Sequence, residues 1–245
     1  MQKAVLFLGI LVLFFCLPFV SFAYKTMGVK EGGNIEGIVE FTGASVPKDE
    51  TLTLTSEIEL CGKYLPAEKY LISAERRIKN VVVYIDAIEA GKPIPSEPVT
   101  VTNVKCAFVP HVGIGFEGNS FTALNDDPLF HIFHISTSIN GKHLFSIGLH
   151  ERGLKVSKPL TKTGITEITC DVHPWMHGYV YIFHHPYAAV TNEKGEFVIK
   201  DIPPGSYTVG AWHEALGKLR QENVRINSGE TSRIKLEYNW NINLK

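Results

Sequence analysis

The chain has 245 residues, of which 44% are hydrophobic and 20% are charged, the balance of an ordinary globular protein of one or two domains. Its formal net charge is −1, so it has no excess of positive charge with which to bind a polyanion. This charge balance argues against a nucleic-acid partner.

The first 23 residues have the organisation of an export signal. Lys3 supplies a positive start, residues 4–20 form an almost unbroken apolar run, and Ser21 and Ala23 provide the small residues of a cleavage site. We therefore predict a signal peptide over 1–23, a mature protein in the periplasm, and no stable membrane association after cleavage. The alternative is an uncleaved membrane anchor, because the run approaches the roughly 17 residues that can just span a bilayer.

Export places the cysteines in an oxidising compartment, where disulfides form. The mature chain keeps Cys61, Cys106 and Cys170. An odd number predicts one disulfide and one thiol with another role. Because Cys170 lies in a loop with other metal-binding side chains, we predict a disulfide between Cys61 and Cys106. The alternative pairs Cys106 with His111, in the stretch CAFVPH, as two ligands of a metal.

The mature sequence has a β pattern throughout. Short apolar or alternating segments recur between Gly-containing turns, among them NIEGIVEF, NVVVYIDAI, VTVTNV, HIFHIS, HLFSIGL, ITEITC, GYVYIF, EFVIKDI, SYTVGAW and RIKLEY. No long stretch has helical periodicity, so we predict an all-β sandwich or barrel. For residues 43–72 the pattern leaves a long loop and a short helix equally open.

The spacing of strand and turn patterns in the sequence changes after Phe183. From His184 onward, short strands alternate with tight turns and a Pro-Pro-Gly corner at 203–205. We predict a first domain over 24–183 and a second over 184–245. The two should pack closely, because the strand that ends at Phe183 runs directly into the second unit.

The stretch CDVHPWM combines a thiol, an imidazole and a thioether within seven residues. Cysteine, histidine and methionine are the ligands that favour copper over magnesium or calcium. The strand ITEITC ends at Cys170 and the strand GYVYIF follows the stretch, so these side chains occupy a turn at one end of a sandwich. Cys170, His173 and Met176 would supply three of the four ligands of a blue copper site.

The fourth ligand should come from another strand, because one short loop cannot surround a metal ion. The stretch FHIFHIS offers His131 and His134. Side chains three residues apart on a strand point to opposite faces, so only one of the two can face the metal. Strand geometry leaves the choice between them open.

The stretch TGITEITCDVHPWMHGYVYIF resembles the ligand loop of the cupredoxins, in particular of the amicyanin type. The upstream NDDPLFHIFHI resembles their His-x-x-His strand, in which the first histidine binds copper, and this resemblance selects His131. GNIEGIVEF and CAFVPH are similar to segments of exported plastocyanin-like proteins labelled methylamine utilisation proteins. The resemblance implies a Greek-key cupredoxin sandwich holding one copper ion, Cu(I) or Cu(II), through His131, Cys170, His173 and Met176.

One position departs from the cupredoxin pattern. Ile132 stands where these proteins usually have an asparagine whose side chain ties the two ligand loops together. Beyond the copper domain, residues 184–240 carry Asn-x-x-Gly-x-Phe and Pro-Pro-Gly-x-Tyr patterns. They resemble the carboxypeptidase regulatory-like domain, a small transthyretin-like β-sandwich, and this resemblance implies a fold but no function for the second domain.

These residues together predict one-electron transfer between periplasmic redox proteins, which would dock transiently on the surface around His173 and Trp175. We expect Trp175 to shield the site from water. No nucleophile with a base, no paired carboxylates and no phosphate loop is visible, so we do not expect an enzyme. One alternative is copper storage, delivery or sensing, and another is a structural or interaction module without redox copper.

The remaining histidines are expected to be surface or packing residues; they are His134, His143, His150, His184 and His185. His177 lies beside the ligand loop, and the stretch Trp212-His213-Glu214 is placed near a domain junction, but we do not predict a second metal site there.

Overall fold

A computed structural model of the protein describes residues 24–239. The predicted signal peptide at 1–23 lies outside this range. Within it, one turn of helix, α1 (Ile58–Cys61), is the only α-helix, and no helix has the length and apolar character needed to cross a membrane. The remaining regular structure is β, which confirms the predicted all-β sandwich fold.

Twenty strands are present in the described range. In chain order they are β1 (Lys25–Thr26), β2 (Gly33–Phe41), β3 (Thr51–Thr53), β4 (Tyr64–Pro66), β5 (Val82–Ile85), β6 (Ala90–Gly91), β7 (Val99–Val104), β8 (Ala107–Val109), β9 (Val112–Phe116), β10 (Ser120–Asn125), β11 (His131–Thr137), β12 (His143–Leu149), β13 (Lys155–Pro159), β14 (Gly164–Cys170), β15 (His177–Phe183), β16 (Ala188–Val190), β17 (Glu196–Ile202), β18 (Gly205–His213), β19 (Gly217–Ile226) and β20 (Thr231–Tyr238).

The first sandwich packs a four-stranded sheet, in the order β13-β10-β7-β8, on a five-stranded sheet, in the order β12-β11-β14-β15-β9. The chain crosses between the two sheets repeatedly, for example from β9 to β10, from β10 to β11 and from β12 to β13. These crossings collect loops at the ends of the sandwich. The start of β11 and the end of β14 meet at one such end, because the two strands are antiparallel neighbours.

Alternation along the strands explains the core of the first sandwich. In β11 the buried positions are His131, Phe133 and Ile135, whereas the residues between them are partly exposed. Phe133 packs on Phe108 and Phe121 of the facing sheet, with ring centroids 4.7 Å and 6.1 Å apart. The period of two therefore places His131 on the same face as the apolar core.

The second sandwich packs the sheet β16-β5-β18-β19 on the sheet β17-β2-β20. Strands β2 and β5 come from the N-terminal part of the chain; β2 pairs with β17 and β20, and β5 with β16 and β18. The range 24–183 predicted for the first domain thus contains strands that lie in the sheets of the 184–245 segment. Long-range pairing of this kind leaves no local trace in the sequence.

The two sandwiches pack face to face. Their contact is a separate apolar cluster that includes Tyr84, Tyr181, Phe183 and Trp212. Strand β15 is buried on both sides, since Val180 and Ile182 face the first core and Tyr181 and Phe183 face this junction. Close packing of the two units, expected from the continuous strand before residue 184, follows from this two-sided burial.

The segment 43–72 contains a hairpin and a helical turn. Strands β3 and β4 pair as a hairpin, and α1 lies between them. The last residue of α1, Cys61, forms a disulfide with Cys106 in the β7–β8 turn. The structure therefore contains the predicted disulfide, and it excludes Cys106 as a metal ligand beside His111.

Candidate metal centre

Two neighbouring strands and one loop position the predicted ligands. His131 is the first residue of β11, and Cys170 is the last residue of β14. The pairing of Phe133 with Cys170 brings both ends to the same edge of the sheet. His173 and Met176 lie in the loop that connects β14 to β15.

Three of these side chains converge on one point. His131 Nδ1 lies 3.9 Å from Cys170 Sγ, His173 Nδ1 lies 3.6 Å from the same sulfur, and the two Nδ1 atoms are 3.0 Å apart. All three residues are buried, with exposed fractions of 0% for His131, 4% for Cys170 and 6% for His173. The triangle of donor atoms is thus shielded from solvent by the end of the sandwich.

The separations fit a single transition-metal ion. Imidazole nitrogens bind such ions at about 2.0–2.1 Å and thiolate sulfur at about 2.3 Å, so two donors on one ion stand no more than about 4.4 Å apart. All three measured separations are below that limit. Two imidazoles and a thiolate in one plane are the equatorial set of a blue copper site.

Met176 lies on the same side of the core. It is 2% exposed and belongs to the apolar cluster that also contains Cys170 and Phe133. Two backbone hydrogen bonds fold the loop: the Cys170 N–H donates to the Met176 carbonyl at 3.3 Å, and the Met176 N–H donates to the His173 carbonyl at 2.9 Å. The short, closed loop keeps Met176 in the same buried cluster as Cys170.

The thiol of Cys170 is arranged to ionise. Burial tends to raise the pKa of this thiol, but His131 and the backbone N–H groups of Ile132, Val172 and His173 outweigh burial, so the pKa lies below its ordinary value. A thiolate, not a thiol, is the form that binds a metal. The loop therefore lowers the free-energy cost of forming the thiolate that a metal ion binds.

Backbone groups of Ile132 join the two segments that carry the candidate ligands. Its N–H group lies against the Cys170 sulfur, and its carbonyl accepts a hydrogen bond from the Asp171 N–H at 3.3 Å. Both contacts join the His131 strand to the Cys170 loop without help from a side chain. The apolar residue at this position therefore leaves the two ligand segments tied together.

A buried carboxylate that the sequence did not point to lies behind His131. Asp127 Oδ2 lies 3.2 Å from His131 Nε2, without the alignment of a regular hydrogen bond. Burial tends to lower the pKa of His131, but Asp127 and Cys170 raise it above its ordinary value. A carboxylate behind the distal nitrogen leaves Nδ1 free to bind a metal, an arrangement typical of metal-binding histidines.

The disulfide turn holds Asp127 in place. Lys105 and Cys106 both have positive φ, 49° and 61°, so their N–H groups point in the same direction. They donate to the two oxygens of Asp127 at 2.7 Å and 2.9 Å. A signal for Asp127 was present in the sequence, because an acidic residue stood four positions before the ligand histidine, but only the turn reveals its role.

His173 lies nearest the surface of the candidate centre. Burial, and then the proximity of His131, lower the pKa of its imidazole, so the neutral ligand form is favoured. The ring of Trp175 lies 5.2 Å from that of His173 and is partly buried in the same core. The expected shielding by Trp175 is compatible with this position, and the role itself stays a prediction.

His134 lies outside the cluster. Its side chain is 34% exposed, and Nδ1 lies 3.3 Å from Asp171 Oδ1. The alternation of β11 turns this histidine to the opposite face from His131, as the period of two requires. Of the two candidates for the fourth position, the structure thus brings His131 to Cys170 and His173.

Comparisons with known proteins concern parts of the chain. The sequence model of a family described as "Polysaccharide lyase family 4, domain II" matches residues 164–234. No curated protein matches the chain. The matched range runs from β14 to β20 and so crosses the predicted boundary at 184. The predicted resemblance of 184–240 to a carboxypeptidase regulatory-like domain finds no support in these comparisons.

Several solved structures overlap with a minority of the chain. A copper-containing nitrite reductase from Thermus scotoductus SA-01 is 23% identical over 40% of this chain and 25% of its own, with a TM-score of 0.32. A purple cupredoxin from Nitrosopumilus maritimus is 23% identical over 34% of this chain and 98% of its own, with a TM-score of 0.30. The reduced Cu(I) form of an amicyanin mutant is 18% identical over 41% of this chain and 97% of its own, with a TM-score of 0.32.

Proposed function

We propose that the protein is a periplasmic carrier of single electrons that holds one copper ion between His131, Cys170, His173 and Met176. The observation that carries the proposal is the buried triangle of two Nδ1 atoms and one Sγ, closed by a loop that also contains a buried methionine. A copper ion held there would alternate between Cu(II) and Cu(I).

The residues around the triangle favour a site that changes little between oxidation states. His131 and Cys170 stand at the ends of paired strands, and the loop to Met176 is fixed by backbone hydrogen bonds. Asp127 holds the His131 ring from behind. A cage already built by sheet and turn contacts needs little rearrangement when an electron enters or leaves.

Exposed apolar residues beside both ligand histidines support docking at this end of the molecule. Phe130, directly before His131, is 46% exposed, and Val172, directly before His173, is 41% exposed. Ile58, on the helical turn after Glu57, is also exposed, and Glu57 lies close enough to act on His173 electrostatically. A small apolar patch of this kind suits the weak, transient interfaces of redox proteins. We propose it as the docking surface for periplasmic redox partners.

The same residues suit a second candidate, copper storage, delivery or sensing, because the thiolate and thioether also bind Cu(I). We favour the electron carrier because the ligands are buried and come from two chain segments. A site that surrenders its ion readily needs a flexible and accessible ligand loop. We also propose that the protein is not itself an enzyme.

The first experiment is the visible and electron paramagnetic resonance spectrum of residues 24–245 after one equivalent of cupric ion is added. We expect an intense charge-transfer band and a narrow copper hyperfine splitting, both absent from Cys170→Ala. A pale spectrum identical to that of the variant would refute the thiolate-bound copper site.

A second experiment separates the carrier from the delivery protein. The copper-loaded protein is reduced and reoxidised repeatedly, and its copper content is measured after each cycle in the presence of a Cu(I) chelator. Retention of colour and copper over many cycles supports electron transfer. Rapid loss of the cuprous ion to the chelator supports delivery instead.

A further inference from the structure

We propose that the junction between the two sandwiches holds a second metal site, built from His111, His177 and Glu214, for a divalent transition-metal ion. His111 directly precedes β9, His177 is the first residue of β15, and Glu214 follows the last residue of β18. The three residues belong to three distant chain segments and to both sandwiches. The proposal does not depend on the function proposed for the cluster around Cys170.

The donor atoms of the three residues converge on Glu214. His111 Nε2 lies 2.5 Å from Glu214 Oε1, and His177 Nε2 lies 4.0 Å from Glu214 Oε2. All three donor atoms lie within 4.8 Å of one another. Donors on one ion stand no more than about 4.4 Å apart, so a small shift of the side chains would bring all three donors onto one ion. His177 can make that shift, because its side chain is 28% exposed.

Both imidazoles turn Nε2 towards the Glu214 carboxylate. His177 Nδ1 lies 3.3 Å from the carbonyl oxygen of Trp175, and His111 Nδ1 lies 3.7 Å from Glu68 Oε2. For His177 this acceptor favours the tautomer whose Nε2 lone pair points towards Glu214, whereas Glu68 lies beyond hydrogen-bond distance of His111. Metal-binding histidines usually have such an acceptor behind the other nitrogen.

The buried Glu214 carboxylate at the junction would be stabilised by a bound cation. The Glu214 side chain is only 5% exposed, and a buried carboxylate costs free energy unless a positive charge compensates it. In residues 24–239, no lysine or arginine forms an ion pair with Glu214 or Glu68. One protonated imidazole would compensate one carboxylate, but it would not explain why both rings present Nε2 to the same group.

A cavity lies beside the two histidines of the set. A cavity of about 70 Å³, lined by Glu68, His111, Trp175 and His177 among others, adjoins the cluster. This volume is well above the roughly 10–15 Å³ that one water molecule needs. Two imidazoles and one carboxylate with water in the remaining position are a known ligand set for Zn²⁺, and similar sets bind other divalent ions of the first transition row. The second site therefore has room for a small exogenous ligand.

His213 stabilises the turn that carries Glu214. Its Nδ1 accepts hydrogen bonds from the N–H groups of Ala215 and Leu216, at 3.2 Å and 3.3 Å. The ring is 1% exposed and organises the turn that carries Glu214. The residue beside it, and not His213, supplies the ligand.

The test uses Co²⁺, whose visible absorption reports its coordination, and the Cys170→Ala protein, which lacks the thiolate. Co²⁺ is titrated into this protein, into the same protein with His177→Ala or Glu214→Gln, and into a control with the exposed His150→Ala. Circular dichroism establishes that each variant is folded. We expect one tightly bound Co²⁺, at least tenfold weaker binding with His177→Ala and with Glu214→Gln, and unchanged binding with His150→Ala.

Two outcomes would overturn the proposal. Binding that is unchanged by both His177→Ala and Glu214→Gln would place the ion elsewhere, for example at His131 and His173. A fall in melting temperature for Glu214→Gln without any Co²⁺ binding by the parent protein would make the His111–Glu214 contact a purely structural hydrogen bond. A rise in the melting temperature of the parent with Zn²⁺ that both variants lose would support the site independently.

Discussion

Each sandwich buries a histidine almost completely, and the two histidines have opposite surroundings. In the first sandwich, His131 is 0% exposed and faces a thiol on one side and the carboxylate of Asp127 on the other. At the edge of the second sandwich, His185 is 1% exposed, and its Nδ1 accepts the Tyr187 N–H at 3.2 Å. Burial alone therefore does not separate a ligand from a packing residue.

The partners of the two rings separate their roles. The acidic neighbours of His131 raise its pKa, whereas burial, and then His184, lower the pKa of His185 to about 4. His185 is thus held neutral as an acceptor for one backbone group. His131 lies between the Asp127 carboxylate and the Cys170 thiol, two groups whose negative charge a bound cation would compensate.

The largest effect is expected from removal of the disulfide. The bridge spans 45 residues, and a loop of this length contributes about 4 kcal/mol to the free energy of unfolding in the chain-entropy account. Cys61→Ala with Cys106→Ala should lower stability by that order and weaken copper binding, because Cys106 positions Asp127. Urea unfolding measures the first effect. An unchanged free energy of unfolding would contradict the prediction.

Asp127→Asn removes the carboxylate behind His131 and one of the two acceptors of the Lys105 and Cys106 N–H groups. The carboxamide cannot compensate a positive charge on the imidazole, so the pKa of His131 should fall, and copper affinity should drop by about 10- to 100-fold. Competition with a chelator at neutral pH measures the affinity. Asp126→Asn, at an exposed neighbour that pairs with Arg152, is the matched control and should have no such effect. Equal losses in both variants would remove Asp127 from the site.

His185 should make the protein less stable in acid. The unfolded chain protonates this histidine near pH 6.5 and the folded chain near pH 4, so stability falls as the pH drops below about 6.5. At pH 5 the loss is about 2 kcal/mol relative to pH 7. His185→Asn, which keeps an acceptor but does not titrate, should show that much less acid sensitivity in urea unfolding. The exposed His150→Asn should behave as the wild type does.

The smallest effect is expected at Ile132. Since backbone groups already join the two ligand segments there, Ile132→Asn should change the rate of copper release by less than about threefold, within the range of ordinary surface substitutions. The release rate into excess chelator measures this. A tenfold slower release would mean that the side-chain tie of the cupredoxins adds rigidity that the backbone of this protein lacks.

Local signals made the first cluster predictable. Cys170, His173 and Met176 lie within seven residues between two strand patterns, so their proximity follows from chain connectivity. His131 was harder, because strand periodicity left it equivalent to His134 until a family resemblance selected one. In the structure, the burial pattern of β11 places His131 in the core and His134 nearer the solvent. The residues of an isolated strand do not show which of its two faces will be buried.

The second cluster and the domain plan depended on distant pairings. Glu214 lies more than a hundred residues from His111, and no spacing rule connects them. Strand β2 pairs with β17 and β20, which lie far away in the sequence. A boundary placed at 184 from the local strand and turn pattern does not include this pairing.

The sequence by itself determined the all-β character, the loop with its thiol, imidazole and thioether, and the pairing of Cys61 with Cys106. These features follow from alternation, from short spacing and from the number of cysteines. Only the tertiary structure decided that Asp127 stands behind His131, that β2 and β5 complete the second sandwich, and that His111, His177 and Glu214 meet. Such contacts arise from the packing of whole sheets, whose energy is spread over many residues and is not encoded in any one stretch.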